Sequence, residues 1–157
     1  MTVQAGTHWA DGKEFARIRM IPADEVGDYW NCLHEFLQQE SKTWKRYWTL
    51  DGIYSRLQTG HWQLWLAVDK DGPFMAMITE VSIYETGEKD LIVHWLGGLG
   101  LRNLDQYFFI AEEWARQYGC DEIITFCRPG VKRLMEKYGF RDRRYTITKA
   151  IRYYKEN

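Results

Sequence analysis

The chain has 157 residues, is 45% apolar and 27% charged, and carries a formal net charge of −1. That length and balance suit one packed domain and speak against a disordered chain. Its apolar runs, such as Leu64-Trp65-Leu66-Ala67-Val68, fall far short of the roughly 20 residues of a membrane-spanning helix.

The elements follow from residue periodicity. Residues 1–12 are polar and Gly-bearing and read as a flexible lead-in to a domain spanning 13–157. Phe15–Ile21 alternates as a first strand. Pro22-Ala23-Asp24 opens a helix whose positive end suits Asp24 and Glu25, with Val26, Tyr29, Trp30, Leu33, Phe36 and Leu37 as its apolar stripe. A second helix is expected at Leu50–Leu57, closed by Thr59-Gly60. Trp62–Val68, Phe74–Tyr84 and Asp90–Leu96 form an antiparallel meander around turns at Asp69–Pro73 and Glu85–Glu88. After Gly97, Gly98 and Gly100 comes the clearest helix, with Leu104, Tyr107, Phe108, Ala111, Trp114, Ala115 and Tyr118 on one face and Gly119 as its stop. A strand at Glu122–Cys127, a helix at Pro129–Lys137 and a last alternating strand at Tyr145–Ile151 complete the order β-αα-βββ-α-β-α-β. The expected class is α/β (α+β), with a mixed, mostly antiparallel central sheet flanked by helices.

Two compositional features bear on function. Trp 8, Tyr 10 and Phe 7 raise the aromatic share to 16%, which fits a large core or an adhesive aromatic surface. Charge is also uneven: residues 128–157 carry +7 and residues 1–127 carry −8. The basic fifth could meet phosphates or an acidic partner, or form a solvated face. Cys32, Cys120 and Cys127 are odd in number and lack a Cys-x-x-Cys. They read as reduced thiols in a cytoplasmic setting. No secretory signal pattern begins the sequence.

The element order, together with Leu91–Leu96, the glycine run, Trp114-Ala115-Arg116-Gln117-Tyr118-Gly119-Cys120 and Met135-Glu136-Lys137-Tyr138-Gly139-Phe140, resembles the GNAT N-acetyltransferase superfamily. Thr59-Gly60-His61-Trp62-Gln63-Leu64-Trp65, Glu113–Cys120 and Arg128-Pro129-Gly130-Val131 look most like short GNAT-like proteins of tailed bacteriophages. The resemblance implies acetyl-CoA between the strands Asp90–Leu96 and Glu122–Cys127. It also implies pyrophosphate at the N-terminus of the helix between them, where unpaired amides and the helix dipole favour an anion.

On that reading Gly97, Gly98, Gly100 and Arg102 are the candidate cofactor-binding residues. The family's Gln/Arg-x-x-Gly-x-Gly/Ala pattern is degenerate here. Without gaps its positions fall on Leu99, Arg102 and Leu104. The tyrosine that protonates the leaving thiolate in many relatives is replaced by Met135, and Tyr138 lies three residues away.

An amine nucleophile must lose a proton before it attacks a thioester. His94, in phase with Ile92 and Leu96, and Glu80, in phase with Ser82 and Tyr84, are the candidate catalytic residues. Imidazole is the side chain whose charge changes nearest neutral pH. Either residue could instead be structural, as a satisfied histidine or a solvated strand carboxylate. The four histidines show no metal-ligand spacing, and Cys127 has no paired histidine in the sequence pattern.

Trp44-Lys45-Arg46-Tyr47-Trp48 interleaves aromatic and basic residues where relatives admit their acceptor. It reads as packing or as a recognition surface. Two functions remain open. One is an acetyl-CoA-dependent N-acetyltransferase acting on an amine. The other is a non-catalytic GNAT scaffold serving as a phage structural or internal virion protein, or as a host-factor binder. Nucleic acid ranks behind both, on the basic C-terminal fifth alone, and no feature points to a membrane.

Overall fold

The computed structural model describes residues 9–10, 13–14, 17–99, 104–127, 129–143 and 147–153. The chain divides into two compact units, one ending at Phe126 and one starting at Cys127. The first unit opens with a two-residue ladder, β1 (Trp9–Ala10) against β2 (Lys13–Glu14), where the sequence suggests an irregular lead-in. Its main sheet has five strands in the order β3-β4-β5-β6-β7. They are β3 (Arg17–Ile21), β4 (Gln63–Asp69), β5 (Gly72–Ile83), β6 (Lys89–Gly98) and β7 (Glu122–Thr125). All neighbours are antiparallel except β6 and β7. The mixed α/β class and the mostly antiparallel sheet match the expectation from sequence.

Local chemistry sets most of the element ends. Pro22 accepts the Glu25 N–H at 2.9 Å and starts a 3-10 turn that leads into α1 (Val26–Gln39). Thr49 caps α2 (Leu50–Gln58), its hydroxyl accepting the Gly52 N–H at 3.0 Å. Gly60 then takes φ +76° and ends the helix. In the β4–β5 turn the Asp71 N–H donates to Asp69 Oδ1 at 2.8 Å.

The sheet is covered on both faces. On one side Leu33, Phe36 and Leu37 of α1 and Ile53 and Leu57 of α2 pack with Leu64, Leu66, Ala76 and Ile78. Helix α3 (Leu104–Gln117) covers the other face. There Trp114 meets Trp65 edge-on with ring centroids 5.6 Å apart. The Tyr107 hydroxyl donates to the Met75 carbonyl at 2.9 Å. Trp65 Nε1–H donates to Thr79 Oγ1 and the Thr79 hydroxyl to Gln63 Oε1, both at 3.0 Å. Those bonds satisfy the polar ends of Tyr107, Trp65 and Thr79, whereas Trp114 Nε1 and Gln106 Oε1 on α3 are buried with no hydrogen-bond partner among the described residues.

The second unit contains α4 (Pro129–Glu136). Gly139 follows at φ +89°, with its N–H donating to Glu136 O at 3.1 Å, and the chain stops there as a helix. The strand expected at Tyr145–Ile151 is absent over its described part, 147–151. Ile147 and Ile151 are 93% and 76% exposed. Alternation marks a strand only where a neighbouring ladder takes up its backbone groups, and the described residues provide none. Likewise β7 ends at Thr125 instead of Cys127, leaving Phe126 75% exposed.

Two substitutions test this packing. Gly98 has φ +143°, and a Cβ there would lie 2.3 Å from the Phe74 carbonyl oxygen. Gly98→Ala is expected to destabilise by at least about 2 kcal/mol in denaturant unfolding. Burial pushes the Tyr107 phenol well above its ordinary 10.0. Its stabilisation is therefore complete below pH 10 and falls as pH rises beyond that value, because only the unfolded phenol ionises readily. Tyr107→Phe should flatten this alkaline limb and cost about 1–3 kcal/mol at neutral pH through the orphaned Met75 carbonyl.

Candidate active site

The site grows from an irregularity in β6. Ile78 pairs with Trp95 and Thr79 with Val93, so His94 is an extra residue with no partner on β5. Such a bulge re-aims neighbouring side chains and breaks the two-residue alternation. His94 therefore shares a face with Trp95, which packs in the α1/α2 layer beside Ile78. Leu96, expected in phase with His94, lies opposite Met77 on the other face.

The bulge brings His94 onto Glu80. His94 Nε2 is 2.9 Å from Glu80 Oε1, and the side chains are 16% and 20% exposed. His61 Nε2 lies 2.9 Å from the second oxygen, Glu80 Oε2, with its side chain 62% exposed. An ionised carboxylate only accepts, so each nitrogen facing it carries the hydrogen. The lone pair of a neutral His94 is then on Nδ1.

Aromatic rings enclose the imidazole. Trp62 lies 4.6 Å from the His94 ring, tilted by 31°, and Trp48 meets it edge-on at 5.3 Å. The Arg56 guanidinium sits 5.0 Å over the Trp62 ring.

A cleft of about 430 Å³ adjoins this cluster, lined by His61, Trp62, Met20, Val81, Ile83 and Trp114 among others. Among the described residues no group of three His, Cys, Asp or Glu is arranged to hold a metal.

The bulge also marks where the sheet opens. Parallel pairing of β6 with β7 runs from Asp90↔Glu122 to Val93↔Thr125 and goes no further, although β6 continues to Gly98. Among the described residues no strand pairs with that edge of β6 beyond His94.

The glycines sit differently from expectation. Gly97 and Gly98, read as part of a loose loop, are the last residues of β6 and pair with Ala76 and Met75. Close approach explains them: a Cβ on Gly97 would fall 2.3 Å from Glu40 Oε2, and one on Gly98 would strike Phe74. Gly100 and Arg102 lie outside the described residues. Leu104, on the second small position of the family pattern, is a buried residue of α3.

Of the aromatic-basic run, Trp44 is 2% exposed and donates its indole N–H to Leu37 O at 2.8 Å. It is core. Tyr47 is 69% exposed and Trp48 half-buried beside His94. Trp95, next to the glycines in sequence, is also buried and donates to Thr43 Oγ1 at 3.2 Å. Met135 is buried, and Tyr138 bonds back to it at 3.0 Å through its N–H as α4 ends.

Sequence reasoning paired neither His94 with Glu80 nor either with His61. The signal was in hairpin register: with Gln63 opposite Thr79, the chain just before β4 runs alongside Glu80.

Solved structures of acetyltransferases share this architecture. AAC(6')-Iy in complex with the bisubstrate analogue CoA-S-monomethyl-acetylneamine superposes with a TM-score of 0.66 at 14% identity, covering 88% of this chain and 99% of that one. Glucosamine-6-phosphate N-acetyltransferase from Arabidopsis thaliana gives 0.61 at 13% identity, with 88% and 100% covered. A GNAT family acetyltransferase of Staphylococcus aureus gives 0.60 at 12%, with 87% and 98% covered. The fold is that of the GNAT acetyltransferases. No family model matches the chain, and no curated protein matches its sequence. Among the described residues no helix of this GNAT fold is long and apolar enough to cross a membrane.

The cysteines give a direct check on local burial. Cys32, Cys120 and Cys127 are all free, and only Cys127 is exposed. Burial pushes the Cys32 and Cys120 thiols up, with Glu35 adding to the effect at Cys32. Maleimide labelling followed by peptide mapping should therefore modify Cys127 first at pH 7. Labelling of Cys32 and Cys120 should lag and accelerate as pH rises, because the thiolate is the reactive form.

Proposed function

We infer that the protein is an N-acetyltransferase that uses acetyl-CoA to acetylate a primary amine. The observation that carries this reading is the His94–Glu80 pair, 2.9 Å apart on the bulge where β6 parts from β7. The fold supports it, and so does the free edge of β6. Main-chain N–H and C=O groups beyond His94 suit an extended amide-bearing chain, which would add to the strand as a peptide does. The N-terminus of α3 follows at Leu104 and suits phosphate oxygens. Acetyl-CoA, when bound, supplies an activated acetyl group as a thioester.

The protein's own part is to prepare the amine. An alkylammonium reaches the pair as a cation, and His94 Nδ1 takes one of its protons. Glu80 Oε1 holds the opposite N–H and stabilises the imidazolium that results. Trp48 and Trp62 keep water from the ring and hold its orientation. Positioning supplies most of the remaining rate, so no tyrosine acid is required at Met135.

A second reading draws on Gly97 and Gly98. Their use in strand packing removes two of the small residues expected to cradle pyrophosphate. It fits a GNAT scaffold without catalysis, such as the phage structural, internal virion or host-factor-binding role suggested by sequence resemblance.

Ligand-dependent melting separates the two. Acetyl-CoA at a hundredfold excess over its Kd should raise Tm by about 5 °C or more. Release of free CoA should follow on adding a panel of primary amines. His94→Ala is expected to lower kcat/KM by about 10²–10⁴-fold while leaving the CoA-induced shift in place. No shift with either acetyl-CoA or CoA at millimolar concentration would leave only the non-catalytic scaffold.

A further inference from the structure

One carboxylate stands between two imidazoles, and only one of those imidazoles is enclosed. His94 is shielded by Trp48 and Trp62, whereas His61 has most of its side chain in solvent. Glu80 offers a different oxygen to each, at 2.9 Å in both cases. A glutamate side chain held at one oxygen can still swing about its last bond. Held at both, it has a single orientation.

His61 lies in the turn between α2 and β4, outside any ladder. Its own exposure excludes a packing role of any size. Gly60 at φ +76° sets the direction in which the chain leaves α2, and the Trp62 N–H donating to Arg56 O at 3.0 Å fixes the following residue. The turn thus delivers His61 to Glu80 by backbone constraint.

We propose that His61 is a positioning residue for the acetyl transfer: it anchors Glu80 Oε2 so that Oε1 stays on His94 Nε2. This rests on the reading of His94 as the group that accepts the amine proton. The consequence lies in the tautomer. With Oε1 fixed opposite Nε2, the neutral ring keeps its hydrogen there and presents the Nδ1 lone pair. Release of the anchor lets Glu80 turn away, and His94 then populates both tautomers, one of which cannot accept a proton at Nδ1. His61 itself touches no reacting atom. Its place on the wall of the 430 Å³ cleft means a small solute can occupy the space its ring leaves.

The test reads the tautomer directly and the reaction separately. Imidazole ¹⁵N shifts of the full-length protein, with His94 assigned by its loss in His94→Gln, are expected to show the Nε2–H tautomer in the wild type. In His61→Ala the His94 signals should move toward a mixture, and millimolar imidazole should return them toward the wild-type positions. His61→Gln, which keeps an N–H donor, should lie between the two. In the acetyl-transfer assay His61→Ala should lose about tenfold or more in kcat, with KM for acetyl-CoA unchanged and activity regained on adding imidazole. An His94 tautomer that is the same in wild type and His61→Ala overturns the proposal, whatever the assay gives. A tautomer shift in a protein that neither binds nor cleaves acetyl-CoA upholds the anchoring by His61 and overturns the acetyltransferase reading instead.

Discussion

The single extra residue in β6 organises everything of functional interest in the first unit. In an unbroken ladder His94 and Trp95 would lie on opposite faces of the sheet. With His94 unpaired between Ile78↔Trp95 and Thr79↔Val93, both turn toward α1 and α2. One becomes core and the other meets Glu80. The same residue marks the point where pairing with β7 stops, so the His94–Glu80 contact and the free strand edge arise from one defect. A bulge costs ladder hydrogen bonds and is retained where it aims a side chain.

The cost is offset by packing on both faces. Trp65, Tyr107 and Trp114 lock α3 to the sheet, each buried to within a few per cent. Trp44, Trp62 and Trp95 do the same on the α1/α2 side. Their polar edges are mostly satisfied, by Thr79 for Trp65, by Leu37 for Trp44 and by Thr43 for Trp95. The tryptophans whose burial is described are therefore chiefly core, and the rings that meet His94 are Trp48 and Trp62. Those two rings contact each other edge-on at 5.1 Å. They are as much the wall of the site as the edge of the core.

The carboxylate between two histidines illustrates how one half-buried group can serve two ends. Glu80 lies on a strand whose alternate residues face the two helical layers, and its neighbour Thr79 is buried in a hydrogen-bonded chain on the far side. The strand can hardly shift without breaking that chain. Glu80 is thus fixed at its backbone by Thr79 and at its carboxylate by His61 and His94.

Sequence alone determined the helices α1 to α4, the meander β4–β6 and the α/β class, because those depend on local periodicity, caps and turn residues such as Thr49, Gly60 and Gly139. It offered His94 and Glu80 as candidate bases, one at a time and without their contact. It misread Gly97 and Gly98 as a loop, since a glycine required by close approach looks the same in sequence as a glycine required by flexibility. It also expected a strand over 147–151, where alternation had no ladder to join. Only the tertiary structure decided that His61, Glu80 and His94 meet. That meeting depends on hairpin register and on a one-residue bulge, both set by non-local pairing that leaves no periodic trace in the chain.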